Sequence, residues 1–191
     1  MASAEKETLF KFPRTRHLFD AGGSGVSRDD LLLDEGEEAV FYSGRSAGSR
    51  ARGRRPGAPS GRLVCIEEKV DGANLGISVG EDLQLRVQNR SHFVNSKTHA
   101  QFSTLESWLE ENSGTLYELL ESKNLVLFGE WLYAKHSIHY TRLPGHFMAF
   151  DIFDRSAGKF FSWRERNRRL EGTGIRWSGG SLRQPSTDGK M

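Results

Sequence analysis

Apolar residues alternate with small or polar ones along two stretches of the chain, residues 75–79 and 83–87. This period of two predicts half-buried β-strands. Two further stretches, 125–133 and 146–154, are nearly unbroken apolar runs, as expected for strands that are buried on both faces. The stretch 159–170 begins with apolar residues and continues into a basic sequence, which predicts a short strand followed by a helix.

Leucine and tryptophan recur at helical spacing between residues 102 and 124, so this stretch predicts a helix. Ser103 and Glu106 fit a capping box at its start, and the polar cluster at 112–114 predicts a break into two helices. Helices inserted between strands predict an α+β fold with mainly antiparallel sheets. At 191 residues the chain is long enough for one substantial core, so one domain is expected.

Charge is distributed unevenly, although the formal net charge is only +2. Residues 29–38 are strongly acidic, whereas residues 45–62 hold six arginines and no acid. The stretch 44–62 lacks the apolar side chains that offset ordering entropy, and it therefore predicts a mobile loop. An RNA-contacting arm or a nuclear address is the functional alternative for this loop. A similar shortage of apolar residues predicts a disordered tail at 178–191, so the folded domain is expected to span 1–177.

The single cysteine, Cys65, excludes an intramolecular disulfide and a cysteine-cluster zinc site. The N-terminus has no apolar stretch of signal-peptide length, and no segment approaches the length of a membrane span. These features predict a soluble intracellular protein of the cytoplasm or nucleus, with no membrane partner.

Charged residues stand at the ends of the predicted strands. Lys69 lies between a predicted strand at 63–66 and the strand at 75–79, with Asp71 and Gly72 as a turn signal. Taken alone, this lysine is typical of an acid-flanked surface position. As part of a set it indicates a pocket, because a site built on a sheet collects its reactive groups at strand ends. The set comprises Lys69, Arg90, Glu130 and Asp151.

These strand ends carry sequences that resemble the motifs of the covalent nucleotidyltransferases, the superfamily of polynucleotide ligases and capping enzymes. In chain order, EKVDGANLG resembles motif I, RVQNRSHF motif Ia, LFGEWLY motif III and FMAFDIFD motif IIIa. Asn74 stands where DNA ligases and capping enzymes usually carry arginine, and asparagine is typical of the RNA ligase 2 group. The opening KFPRTRHLF is similar to the entry segment of RNA ligases. The chain thus resembles the ATP-dependent RNA ligases, which implies their ATP-grasp-like nucleotidyltransferase domain.

The resemblance implies that Lys69 attacks the α-phosphorus of ATP and becomes covalently joined to AMP. The amine must first lose its proton, because an ammonium has no lone pair. Glu68 is expected near the adenine amino group. Gly72 is expected to let backbone and phosphate approach each other without a Cβ in the way. Asn74 belongs to the same nucleotide-binding motif.

The later motifs imply four further nucleotide-binding residues. Arg90 would neutralise phosphate charge with a guanidinium fork that suits paired oxygens. Glu130 would hold ribose hydroxyls or a Mg²⁺ ion. Phe150 would stack on adenine, with a place in the core as the equally weighted alternative, and Asp151 would support the site electrostatically. The expected cofactors are ATP and Mg²⁺.

RNA with a 5′-phosphate and a 3′-OH is the expected partner, bound by a monomer. Lys11, Arg14 and Arg16 in the aromatic and basic N-terminal stretch are candidate RNA contacts. His136 and His139 have no evident third metal ligand, and they are interpreted as surface or RNA-contacting residues. Two alternatives stay open at this point. One is a non-catalytic RNA-binding or regulatory fragment, and the other is a DNA ligase or a GTP-dependent capping-type enzyme.

The end of the chain departs from the family pattern. EGTGIRW, residues 171–177, resembles motif IV but follows motif IIIa too closely, so a turn and a short strand are predicted there. Lys190 is the only late lysine and has no motif V context. The domain is therefore expected to be incomplete at its C-terminus. The isolated chain is expected to fold poorly and to have little activity, because missing strands expose core surface and sheet edges.

Overall fold

The computed structural model describes residues 9–13, 15–18, 20, 31–38, 65–120 and 124–178. The chain falls into two compact units. One spans Pro13–Ile66, and the other combines Met1–Phe12 with Glu67–Met191. The basic stretch 44–62, Arg14 and most of the C-terminal tail lie outside the described residues, so the expectations for them stay predictions.

The smaller unit contains a parallel pairing of two short strands, β1 (Arg16–His17) and β2 (Leu31–Leu32). The Arg16 guanidinium lies 3.1 Å from a carboxylate oxygen of Glu37, and it donates a hydrogen bond of 3.1 Å to the Leu32 carbonyl. Arg16, a candidate RNA contact, is thus already engaged by partners in its own unit.

A six-stranded sheet forms the larger unit. Its main path runs in the order β4-β3-β5-β6-β7 with every neighbouring pair antiparallel, and β8 joins β6 in parallel. Together with the two helices given below, this confirms the predicted α+β class and its mainly antiparallel sheet. The strands are β3 Ala73–Val79, β4 Leu85–Gln88, β5 Leu125–Trp131, β6 Phe147–Asp154, β7 Lys159–Phe160 and β8 Arg176–Trp177.

β5 is the central strand, and all seven of its residues are buried. Leu125, Leu127 and Trp131 belong to the main core, whereas Val126 and Phe128 belong to a second cluster. Successive side chains of a strand point to opposite faces of the sheet, so both faces of β5 are covered. This double covering is why its sequence is an unbroken apolar run.

The main core packs against α1, Leu105–Leu119. Thr104 is the N-cap of this helix but makes no side-chain capping hydrogen bond. The Glu106 carboxylate instead accepts hydrogen bonds from the backbone N–H of Ser96, at 2.8 and 2.9 Å. The predicted capping box between Ser103 and Glu106 is therefore wrong, because the glutamate serves the preceding loop.

α1 continues without interruption through the cluster at 112–114, so the predicted break is wrong. Asn112 donates a side-chain hydrogen bond of 2.8 Å to the Trp108 carbonyl, and the Ser113 hydroxyl donates one of 2.9 Å to the Glu110 carbonyl. These polar side chains thus find partners within the helix. Buried leucines on both sides of the cluster hold the helix to the sheet, and such packing outweighs weak helix propensity.

α2, Trp163–Leu170, follows β7 as predicted. The Ser162 side chain caps it by accepting a hydrogen bond of 3.3 Å from the Glu165 backbone N–H. Arg166 on this helix is only 4% exposed, which is unusual for an arginine. Neither α2 nor any other helix within the described ranges is long and apolar enough to cross a membrane.

Phenylalanine rings cover the second face of the sheet, and an N-terminal arm, residues 9–12, contributes two of them. Phe10 stacks on Phe153 with ring centres 3.8 Å apart, and Phe12 packs edge-on against other rings of the cluster. The Gln88 side chain donates a hydrogen bond of 2.5 Å to the Phe10 carbonyl and accepts one of 3.2 Å from the Phe10 N–H. The arm is therefore part of the packing of the sheet.

Two local predictions around the sheet are wrong. Leu83 lies in the turn between β3 and β4, with a φ of 64°, and not on the strand. Residues 65–70 form no strand, so Lys69 lies on irregular chain before β3, and the strand predicted at 63–66 is not seen in its described part, residues 65 and 66. The acid-flanked lysine must therefore be held by contacts other than a ladder of backbone hydrogen bonds.

Candidate active site

A cleft of about 380 Å³ opens at one end of the sheet, where β3 begins and β4 and β5 end. In antiparallel pairs the end of one strand lies beside the start of its neighbour, so this topology gathers residues that are distant in sequence. The cleft brings together three of the four charged residues predicted at strand ends, Lys69, Arg90 and Glu130. Gly72 and Asn74 also line it.

Irregular chain presents the lysine at this cleft. We call residues 67–72 the lysine segment. Both Glu68 and Lys69 are exposed within it, and none of its residues belongs to a strand. The position of Lys69 therefore depends on contacts made by the two ends of the segment.

Asp71 fixes one end of the lysine segment. Its carboxylate accepts hydrogen bonds from the Ser137 hydroxyl at 2.6 Å and from the Ser137 backbone N–H at 2.9 Å. Its own backbone N–H donates to the Tyr140 hydroxyl at 2.7 Å. The bonds from Ser137 hold the pKa of Asp71 below its usual value. Asp71 is thus an ionised tether to the β5–β6 connection, not a residue of a hairpin turn.

Glu67 fixes the other end. Its two carboxylate oxygens accept hydrogen bonds from the two terminal nitrogens of Arg166, at 2.9 and 2.5 Å, and the Trp163 indole N–H adds a third at 3.1 Å. The same guanidinium donates to the Phe150 carbonyl at 2.5 Å. A two-pronged pair to a buried arginine fixes both distance and orientation. Lys69 lies two residues from each anchor.

Gly72 lies against the end of β5. A Cβ at this position would lie 2.6 Å from the Trp131 carbonyl oxygen and 2.8 Å from a methyl carbon of Leu132. From the sequence, a phosphate is expected to approach the backbone at this glycine. In the structure it is the backbone at the end of β5 that lies close to it. Glycine is thus required for the lysine segment to lie on the sheet, whatever binds in the cleft.

Glu130 supplies a buried carboxyl, only 8% exposed. Burial raises the pKa of Glu130 to about 7, against the opposing attraction of Lys69 and Arg90. Asn74, its register partner on β3, hydrogen-bonds to the carboxyl. The Oε2 atom has no hydrogen-bond partner among the described residues. A buried carboxyl oxygen in this state suits a cation or a hydroxyl donor, because leaving it unpaired is costly.

Arg90 follows β4 in a tight turn built by Asn89. The Asn89 Oδ1 atom accepts hydrogen bonds from the backbone N–H groups of Ser91 and His92, at 2.8 and 2.9 Å, as in an Asx-turn. The turn leaves Arg90 exposed at the cleft. Its guanidinium therefore offers positive charge and a fork of donors in the same space as Lys69, an arrangement that suits phosphate.

Phe150 and Asp151 do not line the cleft. Phe150 is the extra residue at a shift in register between β5 and β6. Its ring packs edge-on against Phe12 at 5.2 Å and so belongs to the phenylalanine cluster. Burial raises the pKa of Asp151 to about 6, and the charge of Arg166 opposes that shift. The stacking of Phe150 on adenine and the electrostatic support of the site by Asp151 stay predictions.

Three anchoring residues have no local signal in the sequence. Ser137, Tyr140 and Arg166 stand 66, 69 and 99 positions from their partners in the lysine segment. Only the three-dimensional fold brings them to it. The sequence does show an acid two residues before Lys69 and another two residues after it. That pattern does not predict two anchors by itself, because no local pattern identifies the residues that bind these acids.

Solved structures similar to the chain include RNA ligases. One is a lysine-to-alanine variant of the Naegleria gruberi RNA ligase with ATP and Mn, at 19% identity and a TM-score of 0.45, covering 59% of this chain and 34% of that one. Another is an archaeal ATP-dependent RNA ligase, at 22% identity and a TM-score of 0.44, covering 59% and 29%. The chain thus spans about a third of the length of these ligases. No curated protein matches it.

The sequence model of the RNA ligase family matches residues 62–186. This range contains the lysine segment, strands β3 to β8, both helices and every residue named above as lining the cleft. It covers more than half of the chain and includes the sequences that resemble motifs I, Ia, III and IIIa, but not the opening KFPRTRHLF. The chain belongs to the RNA ligase family.

Proposed function

We propose that this chain carries out the lysine chemistry of ATP-dependent RNA ligation. The observation that carries the proposal is the cleft, where an exposed lysine on a doubly anchored segment lies together with a guanidinium and a buried carboxyl. A nucleophile and fixed charges that match a phosphate are the groups that nucleotidyl transfer to lysine requires. Membership of the RNA ligase family supports the same chemistry.

In the first step the Lys69 amine, once deprotonated, attacks the α-phosphorus of ATP. A nitrogen–phosphorus bond forms, the bond from that phosphorus to the bridging oxygen breaks, and pyrophosphate leaves. Arg90 offers positive charge to the phosphate oxygens, while Asn74 and Glu130 offer polar groups to the ribose hydroxyls. Because the lysine segment is anchored at both ends, the amine is held close to where the nucleotide binds, which lowers the entropy cost of attack.

Two further steps follow from the chemistry of lysyl-AMP. An oxygen of the RNA 5′-phosphate attacks its phosphorus, the nitrogen–phosphorus bond breaks, and the Lys69 amine regains a proton. The 3′-OH of the other RNA end then attacks the activated 5′-phosphate, which forms the phosphodiester and releases AMP. An exposed lysine suits this order of events, because a macromolecular end must reach the adduct.

A divalent metal ion fits the cleft. Glu130 would hold it, since its Oε2 atom is buried and has no hydrogen-bond partner among the described residues. No group of three or more His, Cys, Asp or Glu within the described ranges is placed to hold a metal. Mg²⁺ commonly binds through one or two carboxylates plus substrate phosphates, so this donor set is sufficient. When bound, the ion supplies charge that stabilises the phosphate oxygens.

The test is transfer of label from nucleotide to protein. The protein is incubated with Mg²⁺ and with ATP or GTP labelled at the α-phosphorus, then separated by denaturing electrophoresis. We expect label from ATP on the wild type, none on Lys69→Ala or Lys69→Arg, and full label on the control Lys97→Ala, which alters an exposed lysine outside the cleft. Circular dichroism of each variant shows whether it is folded.

The other outcomes separate the alternatives. Label from GTP in place of ATP would indicate a capping-type enzyme. A folded wild-type protein that takes label from neither nucleotide would indicate the non-catalytic RNA-binding alternative. Label retained on folded Lys69→Ala would show that the nucleophile is a different residue.

A further inference from the structure

The connection between β5 and β6, residues 132–146, is a basic and aromatic loop. Apart from Ser137 and Tyr140, which anchor the lysine segment, its side chains have no part in the nucleotide chemistry. We call it the β5–β6 loop. It holds two formal cations, three histidines, two tyrosines and no acid. Cations interleaved with aromatic side chains are the composition of single-stranded nucleic-acid sites. The cations are Lys135 and Arg142, and both are exposed.

The β5–β6 loop is fixed next to the lysine segment. Ser137 and Tyr140, both within the loop, make the hydrogen bonds of 2.6 to 2.9 Å to Asp71. The base of the loop is closed by a hydrogen bond of 2.7 Å from the Leu132 N–H to the His146 carbonyl. A ligand on this loop would therefore lie beside the segment that presents Lys69.

A groove of about 410 Å³ runs along one side of the loop. Tyr133, Lys135 and His136 line it from the loop, and His99 and Gln101 line it from the segment before α1. Gln101 also lines the lysine cleft, so this residue is a wall that the groove and the cleft share. A ligand in the groove would therefore lie next to the cleft.

The groove offers the two kinds of contact that a nucleic-acid strand uses. Lys135 can pair with a phosphate, and such pairs supply most of the sequence-independent affinity. The Tyr133 side chain is 43% exposed and is braced by the His146 ring, with centres 5.2 Å apart. Exposed aromatic rings stack on unpaired bases. Two histidines, His99 and His136, also line the groove, and none of the described residues that line it is an acid.

We propose that the groove and the β5–β6 loop bind the single-stranded RNA segment next to the end that is joined, with Tyr133 stacking on a base and Lys135 and Arg142 pairing with phosphates. This inference rests on the proposed function, since it assigns the RNA path to the cleft of that reaction. It places the main RNA contact on the β5–β6 loop, whereas the sequence pointed to the N-terminal cations. Of these, Arg16 is already paired with Glu37.

The test is RNA binding by fluorescence anisotropy, with a labelled single-stranded RNA that carries a 5′-phosphate. We expect Tyr133→Ala combined with Lys135→Ala to weaken binding at least tenfold. The matched control, Tyr117→Ala combined with Lys159→Ala, removes an exposed tyrosine and lysine from other parts of the larger unit, and should bind as the wild type does. A plot of log affinity against log salt concentration has a negative slope for the wild type. In the double variant Lys135→Ala with Arg142→Ala this slope should be less steep by about 1.4, which is about 0.7 for each phosphate contact that is lost.

Labelling with ATP is measured on the same variants and should be unchanged, because neither Tyr133 nor Lys135 belongs to the lysine cleft. Failure of the wild type to label would count against the proposed function. The RNA affinities of the wild type and the variants could still be compared, so the inference about RNA binding would still be tested. Wild-type affinity in the Tyr133 and Lys135 variant, with labelling intact, would overturn this inference alone. Ultraviolet cross-linking of wild-type protein to the RNA gives a second reading. Adducts are expected within 132–146, and adducts found only elsewhere would overturn the proposal.

Discussion

Glu130 places a titratable carboxyl in the interior, and this predicts a stability that depends on pH. Its pKa is raised from an ordinary value of 4.5 to about 7, chiefly by burial, so folding favours the protonated form. The contribution of this group is fully present below about pH 4.5 and is lost as pH rises through about 7. At about 1.4 kcal/mol per pH unit, the loss approaches roughly 3 kcal/mol.

Urea unfolding at pH 5 and pH 8 measures this loss. In Glu130→Gln the carboxyl is replaced by an amide that does not titrate. The free energy of unfolding of this variant should therefore fall less between the two pH values than that of the wild type, by roughly 2 to 3 kcal/mol. Titration of Asp151, whose pKa is also raised, to about 6, is common to both proteins and cancels in the comparison. Equal falls in wild type and variant would show that the pKa of Glu130 is not raised in the folded state.

Single residues differ in how well sequence predicts their place. Lys69, Arg90 and Glu130 were predicted at strand ends and meet in one cleft, because strand order in an antiparallel sheet makes such ends neighbours. The role of Asp71 was not predictable. Its sequence context indicates a hairpin turn, whereas its carboxylate binds Ser137, 66 residues away. Contacts of that range depend on the tertiary fold and leave no local pattern.

At the scale of elements, α2 and the lysine segment are joined by the pair between Arg166 and Glu67. We expect Arg166→Ala to lower the free energy of unfolding by about 3 kcal/mol, because it leaves a largely buried carboxylate without its partner. If the pair positions Lys69, the rate of lysine labelling at saturating ATP should fall at least tenfold while the KM for ATP changes little.

The matched control is Arg168→Ala on the same helix. Its guanidinium pairs with Glu165 but the side chain is 72% exposed, so the free energy of unfolding should fall far less than in Arg166→Ala. Lysine labelling in this variant should proceed at the wild-type rate. An Arg166→Ala protein that folds and labels as fast as Arg168→Ala would show that the pair contributes to stability alone.

A second prediction at this scale concerns the glycine in the middle of α1. A Cβ at Gly114 would meet no atom within 4 Å, so Gly114→Ala should raise the free energy of unfolding by about 1 kcal/mol through helix propensity. Gly174→Ala is the contrast, since its φ of +77° is one that alanine adopts only with strain. Thermal melts of both variants should move in opposite directions. A destabilised Gly114→Ala would mean that the helix is interrupted there after all.

The elements themselves were predicted best where burial dominates. β5 and β6 carry long apolar runs, and both lie where the pattern placed them. The continuity of α1 was missed because local propensity at 112–114 favours a break, whereas core packing on both sides maintains the helix. The irregular chain before β3 was missed because the apolar pattern at 63–66 resembles a strand, whereas the described residues 65–70 form none.

At the scale of the whole molecule, the N-terminal arm closes the second face of the sheet. Phe10→Ala combined with Phe12→Ala removes two rings that pack on the phenylalanine cluster. Because both rings are partly buried, we expect a combined loss of about 3 kcal/mol, less than two fully buried phenylalanines would give. The control is Phe93→Ala, at a more exposed ring. Urea unfolding measures both, and equal stabilities would show that the arm is not packed.

Completeness of the domain is a separate matter at this scale. The family match extends to residue 186, while the structure describes residues only to 178. The expected lack of later motifs and the expected poor folding of the isolated chain therefore stay predictions. A cooperative urea transition for the wild type in the experiments above would count against the expectation of poor folding.

The central claim is that Lys69 takes AMP from ATP, and peptide mapping tests it most directly. The protein is incubated with ATP and Mg²⁺, denatured and digested, and the peptides are sequenced by mass spectrometry. The expected result is a single AMP adduct, on Lys69, that is absent without the divalent ion and absent from GTP reactions. Lys97, in the same folded unit and exposed, should be unmodified. An adduct on another lysine, or none on protein shown to be folded, would contradict the claim.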